Sequence, residues 1–256
     1  MTDSVDGAAA RHGTAPQFSY ASDELESMSG AVNYYGWIVE RFRPFLGRRI
    51  LEVGAGIGTF SEYLLRAAPE ARVTLLEPAE NNLRLLTARF VGNPRATVMR
   101  GVLDVSIGEA SQDSVVAVNV LEHVPDDRDF VAQAHRALVP GGHLVLFVPA
   151  GPGIFGTLDE AFEHHRRYTR EGLRRLVQDG GFEVVALAYS NLPGVAAWWL
   201  SGKVLRRRTV TSSWVRLYDR LVIPWVRALE RRWEPPRGQS LLVVGRKAQE
   251  PPAKST

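Results

Sequence analysis

Three glycines at alternate positions, Gly54, Gly56 and Gly58, follow the apolar run Ile50-Leu51-Glu52-Val53, and a stretch with helical spacing begins at Thr59. Such a loop turns tightly and lets a ligand approach the backbone where a Cβ would collide, while the helix behind it offers free N–H groups. It reads as a cradle for a nucleotide-type cofactor. A dinucleotide cradle wants G-x-G-x-x-G, but counted from Gly54 its third glycine position is Thr59, and Gly58 comes one residue early. A nicotinamide-dependent oxidoreductase is disfavoured on that ground. Downstream, Val73-Thr74-Leu75-Leu76 ends in Glu77, twenty-three residues beyond Gly54. An acid at the tip of the second strand of a βαβ unit can accept both ribose hydroxyls of a bound adenosine.

Two further groups of residues carry polar chemistry. The run Val116-Ala117-Val118-Asn119 leads into Leu121-Glu122-His123, at the strand end that faces the same crevice as Gly54 and Glu77 in a parallel sheet. His123 can take a proton, because an imidazole with an unperturbed pKa of ~6.5 is available in its neutral form near physiological pH. The alternative is a histidine that fixes the loop through backbone bonds. The second group is Asp159, Glu163, His164, His165, Arg166, Arg167 and Tyr168, just ahead of a helix that Thr169 and Glu171 can begin. His164 is the stronger candidate for acceptor binding or proton removal, while Arg166, Arg167 and Tyr168 also suit a loop pinned by ion pairs and packing. No metal is expected: the six histidines form no H-E-x-x-H pattern, and His164 and His165 are adjacent and poorly placed for one ion.

These residues need a scaffold, and 256 residues with 45% hydrophobic content suffice for one α/β domain with appendages. The absence of cysteine removes disulfide, thiolate and zinc-finger chemistry together. With 31 basic and 28 acidic residues the formal charge is +3, and nucleic acid is not the expected partner. No apolar run approaches the ~20 residues of a spanning helix, so the expected location is cytoplasmic, and peripheral membrane contact through residues 191–237 stays one of the open readings. Residues 1–18 and 248–256 read as disordered tails around one domain, 19–247. A helical region over 23–46 gathers Tyr34, Trp37, Ile38, Arg41 and Phe42 on one face before Pro44, and should pack beside the glycine loop. Beyond it, strands at 50–53, 72–77, 96–99, 114–119, 143–149, 182–189 and 240–246 alternate with helices at 59–68, 79–91, 127–138 and 169–179. That alternation predicts an α/β, Rossmann-like, mostly parallel sheet covered on both faces.

The E-x-G-x-G-x-G form at Glu52–Gly58 resembles the first motif of class I S-adenosylmethionine-dependent methyltransferases, and the resemblance covers residues 25–247. It implies a seven-stranded sheet whose last strand inserts antiparallel between the fifth and sixth. It also implies S-adenosyl-L-methionine as cofactor, held by Tyr34, Glu52, Gly54, Ala55, Gly56, Glu77, Pro78, Leu103 and Asn119, with Asn119 against the methionine part. The family commonly carries an acid just after the third strand for the adenine amino group. Here Gly101-Val102-Leu103-Asp104 has valine in that place, which leaves Leu103, backbone groups or a shifted Asp104. The pattern Leu158-Asp159-x-x-x-x-His164-x-Arg166-Arg167-Tyr168 resembles a bacterial small-molecule branch, in which tyrosine often follows the histidine; His165 stands there instead. The implied activity is methyl transfer to a small or lipid-like acceptor, with oxygen favoured because histidines are the available bases. The alternative is a peripheral membrane interaction protein that retains the donor fold.

The segment between the last two strands is the least ordinary part of the chain. Trp198, Trp199, Trp214, Trp225 and Trp233, five of six tryptophans, alternate there with arginines. Trp214, Leu217, Leu221, Trp225, Leu229 and Trp233 recur at three or four residues, which predicts one apolar helical stripe kinked at Pro224. Four readings stay open: a cap on the crevice, a surface at a lipid interface, a homodimer contact, or simple cover for the sheet.

Overall fold

The apolar runs become strands because residues on both sides of each run find a core to enter. A computed structural model describes Leu25 and residues 28–249, so the expected tails, apart from 248 and 249, lie outside the described residues, as does the start of the helical region at Asp23. The strands are β1 (Arg49–Val53), β2 (Arg72–Glu77), β3 (Ala96–Arg100), β4 (Gln112–Val118), β5 (Leu138–Pro149), β6 (Phe182–Ser190) and β7 (Ser240–Lys247). They form one seven-stranded sheet in the order β3-β2-β1-β4-β5-β7-β6. All pairs from β3 to β5 are parallel, and β7 runs antiparallel to both neighbours. The fold is the α/β Rossmann-like architecture that the alternation of strands and helices predicted, with β7 placed as the family resemblance implied.

Successive strand residues point to opposite faces, so one run feeds two cores. Leu51, Val53, Val115 and Ala117 pack with Phe130 and Val131 of α4 (Asp127–Ala137) and, beyond the short α5 (Thr157–Ala161), with Leu173 and Val177 of α6 (Arg170–Asp179). Ile50, Val73, Leu75 and Val116 pack with Phe42 of α1 (Val32–Phe42), Phe60 and Leu64 of α2 (Thr59–Ala67) and Leu86 of α3 (Glu80–Phe90). Helix α1 passes through a 3-10 turn, Arg43–Phe45, that contains Pro44, and lies against α2 with the Phe42 and Phe60 rings 5.6 Å apart. That contact puts Tyr34 and Tyr35 beside the glycine loop, as the helical spacing predicted.

The segment before β7 folds differently from the single kinked helix expected. It comprises α7 (Leu192–Trp199) with a π-helical turn over Leu200–Val204, then α8 (Ser212–Leu221) and α9 (Ile223–Glu230). Pro224 sits in the first turn of α9, where its missing N–H costs no helix bond, so it starts a helix instead of bending one. The expected stripe is also not core: Trp214 is 58% and Trp225 77% exposed. The opposite face is the one that docks. Ile223 and Val226 bury against Trp37 of α1. Buried Asp219 accepts from the backbone N–H of Asn33 (3.0 Å) and Tyr34 (2.8 Å), capping the start of α1, where no local side chain does so.

Candidate active site

Because β1, β2 and β4 are parallel, their carboxyl ends open on one edge, and a cavity of about 600 Å³ lies there. The nine residues expected to hold the donor and the two candidate bases all line it: Tyr34, Glu52, Gly54, Ala55, Gly56, Glu77, Pro78, Leu103, Asn119, His123 and His164. Asp104 does not; its carboxylate accepts from Ser106 N (2.8 Å) and Ser106 Oγ (2.5 Å), so the shifted-acid alternative finds no support. His165 is exposed and also absent from the wall.

The glycine loop is fastened by the acid expected to meet the ligand. Glu77, 3% exposed, accepts from Gly56 N (2.8 Å) through Oε2 and from Ala79 N (2.9 Å) through Oε1. A carboxylate has about four acceptor sites, so lone pairs remain for a ligand's hydroxyls. The glycines divide the work. Gly56 takes φ +56° on the cavity wall, whereas a Cβ on Gly58 would come within 2.5 Å of Phe90 Cε2, so Gly58 allows α3 to approach the loop. On the same strand face as Ile50, Glu52 lies in the core, and burial pushes its carboxyl up to about 8, opposed by the Ser61 hydroxyl and reinforced by Glu77. Asn119, at the end of β4, takes the left-handed φ of +52° that asparagine tolerates, and its N–H donates to Phe147 O (2.8 Å).

The catalytic candidates form one cluster. Asp159 is fully buried, yet bonds from His164, the Arg167 charge, Trp198 and Gly156 N hold its carboxyl below its ordinary value against the burial that would raise it. An ionised carboxylate only accepts, so at His164 Nδ1, 2.9 Å from Asp159 Oδ1, the imidazole is the donor. Neutral His164 therefore keeps its lone pair on Nε2. That atom stands 3.9 Å from Glu122 Oε1, too far for a hydrogen bond. His123 packs edge-on against His164 with ring centroids 4.9 Å apart. Burial, followed by the charges of His164 and His165, lowers its pKa to about 3 despite a backbone bond at Glu163. His123 is thus neutral but a feeble base. Arg166, Arg167 and Tyr168 pin the loop: Arg166 pairs with Asp127 (2.9 Å), Arg167 donates to Asp159 Oδ1 (2.6 Å) and Ala150 O (2.9 Å), and the Tyr168 hydroxyl donates to Leu121 O (3.2 Å).

Glu122 is fully buried, and neither carboxylate oxygen has a hydrogen-bond partner among the described residues. Burial pushes it up to about 8, eased in part by its own backbone N–H and then by the Arg167 charge, with Asp159 acting the other way. The folded chain keeps this proton where an unfolded chain loses it, so the group's contribution to stability is complete below ~4.5 and is lost as pH rises towards 8. Glu122→Gln should remove that decline, gaining on the wild type by about 1.4 kcal/mol per pH unit in urea melts between about pH 5.5 and about pH 7.5. Parallel slopes for both chains would mean that Glu122 is ionised in the fold.

Residues 29–187 match the family model described as a methyltransferase domain. The chain belongs to that family. It is an S-adenosylmethionine-dependent methyltransferase. Among its relatives, a ubiquinone biosynthesis O-methyltransferase of Methylobacterium is 33% identical over 178 residues, covering 62% of this chain and 68% of the relative. An O-methyltransferase of Aspergillus nomiae is 27% identical over 158 residues, covering 58% of this chain and 70% of the relative. The fold is shared with a Haemonchus contortus phosphoethanolamine N-methyltransferase solved with S-adenosyl-L-methionine, at TM-score 0.59 and 19% identity over 85% of this chain and 53% of that one. Membership disfavours the non-catalytic alternative.

The methyltransferase cavity suits its donor. It joins a turn-forming glycine loop, a strand-end acid with free lone pairs, and an apolar wall at Leu103 and Val102. Among the wall residues, the part played by Asn82 was not legible in the sequence, nor was the partner of Trp198. Asn82, 1% exposed, reaches Glu77 Oε1 (3.5 Å) from α3; a polar residue one turn before buried Leu86 was the available signal. Trp198 donates from Nε1 to Asp159 Oδ2 (2.9 Å) and lies under the Arg167 guanidinium, 4.8 Å from the ring centroid. Nothing local in the sequence links it to Asp159, thirty-nine residues away.

Proposed function

We propose that this methyltransferase moves the donor's methyl group to a hydroxyl oxygen of a small or lipid-like acceptor, with His164 removing the proton. The observation that carries this reading is the Asp159–His164 pair, which engages Nδ1 of a residue on the cavity wall and so leaves the lone pair on Nε2. Bound S-adenosyl-L-methionine supplies an electrophilic methyl on a cationic sulfur. On this reading Glu77 takes the ribose hydroxyls, Gly54, Ala55 and Gly56 offer backbone groups, and Asn119, Tyr34, Glu52, Pro78 and Leu103 complete the donor wall. His164 Nε2 then receives the acceptor proton, and Asp159 stabilises the imidazolium through Nδ1–H. Trp198 and Phe162, with rings 5.8 Å apart, help exclude water on that side. The His164-x-Arg166-Arg167-Tyr168 element fits a bacterial small-molecule branch, and the O-methyltransferase names of two relatives agree with oxygen as acceptor.

A second reading has one specific observation behind it. Ligand atoms of Glu122, His123 and His164 lie within 4.8 Å of one another, a group that can hold a cation and that the sequence spacing did not suggest. A cation there would activate the hydroxyl in place of the base. The test is mass spectrometry of hydroxylated metabolites incubated with the donor, with and without chelator. Gain of one methyl group insensitive to chelator supports the base. Loss of transfer on chelation, restored by a divalent ion, favours the cation, and transfer only to amines would remove oxygen from the proposal.

A further inference from the structure

We propose that the face formed by α8 and α9 is an interfacial binding surface for anionic lipid bilayers. Trp214, Leu217 and Leu221 recur at three and four residues and share one face of α8; Trp225 and Leu229 share one face of α9, and Trp233 follows directly after it. All six are exposed, although Asp219, Ile223 and Val226 between them are buried. The inner face is therefore already satisfied by α1, and the outer face is a contiguous apolar strip of the kind that marks an interaction site.

Charge identifies the occupant. Residues 191–239 hold ten basic and three acidic side chains, while the entire chain carries only +3, so the remainder is net acidic. All three acids are already engaged: Asp219 caps α1, Glu230 accepts from Asn191 N and Leu192 N, and Glu234 pairs with Arg170 (2.9 Å). Arg206, Arg207 and Arg208, just ahead of α8, and Arg216, Arg220 and Arg232, within or just after the two helices, are exposed. An isologous dimer through this face would bring two copies of the same basic patch together, which like-charge repulsion opposes. Nucleic acid would meet the arginines but leave Leu217, Leu221 and Leu229 without apolar partners. An anionic bilayer satisfies both: phosphate groups meet the guanidinium rim, tryptophans sit at headgroup depth, and leucines enter the acyl boundary. No helix among the described residues is long and apolar enough to cross a membrane, which agrees with binding in the plane of the interface. Trp198, on α7 of the same segment, lines the active-site cavity. The same segment thus supplies both this surface and a wall residue of the cavity, but the binding claim does not depend on the acceptor reading.

The test is co-sedimentation of the full chain with vesicles of phosphatidylcholine alone or mixed with phosphatidylglycerol, without acceptor. The wild type should sediment with the mixed vesicles and stay largely soluble with phosphatidylcholine alone. Replacing Arg206, Arg207 and Arg208 with glutamine should lower the partition on the order of 100-fold, since each arginine near an anionic surface adds a comparable increment. Raising salt to ~1 M, where the screening length is ~3 Å, should weaken binding in the same direction. The combined variant Trp214→Ser, Leu217→Ser, Leu221→Ser and Trp225→Ser should stay soluble with both vesicle types while binding S-adenosyl-L-methionine like the wild type. If that variant does not fold, Trp225→Ser alone tests the apolar strip, and it too should sediment less with the mixed vesicles. Wild-type protein that ignores anionic vesicles overturns the proposal. So does a folded serine variant that sediments unchanged, or a wild-type dimer that the serine variant loses in the absence of any vesicle binding.

Discussion

Replacing His164 with glutamine is expected to lower turnover by ~10²–10⁴ while donor affinity stays close to wild type. Glutamine keeps a polar side chain of similar reach but cannot carry a proton away at neutral pH. Asp159 remains held by Arg167 and Trp198, so the loop around the site should survive the change. His123→Gln is the matched control, because His123 lines the same cavity and touches His164, yet its lowered pKa of about 3 makes it a poor acceptor of protons. Steady-state kinetics on one hydroxylated acceptor, with thermal melts of both variants, separates the roles. A large loss confined to His164→Gln supports a base at that position. Equal small losses that follow lowered stability would make both histidines structural and remove histidine base catalysis from the account.

What could be read from the sequence depended on whether a residue's partners were close along the chain. The glycine loop, Glu77 and Asn119 were legible because a parallel sheet brings the carboxyl ends of its strands to one edge, so spacing alone predicts proximity. Strand β7 was visible as an apolar run, although its antiparallel place between β5 and β6 came only from family resemblance. The Asp159 hub was half visible: His164 and Arg167 lie nearby in sequence, but Trp198 arrives through tertiary packing. Asp219 shows the same limit, since it caps a helix that begins 187 residues earlier. Periodicity found the apolar positions of Trp214–Trp233 but ran two helices into one, and it could not say which face is covered. A 3.6-residue period records that a face is apolar and says nothing of whether protein or another phase meets it.

Donor binding at the glycine loop is the centre of the account, and isothermal titration with S-adenosyl-L-methionine tests it most directly. Wild-type protein should bind at a single site. Glu77→Ala should lose about 1–3 kcal/mol, roughly 5- to 150-fold in affinity, because a buried bidentate acceptor is removed and Gly56 N loses its partner. Glu77→Gln, which keeps one acceptor oxygen, should fall between the two. Circular dichroism of each variant ensures that a folded protein is being compared. Ordered loss across this series is the predicted result; wild-type affinity in folded Glu77→Ala would contradict the assignment of the donor to this cavity.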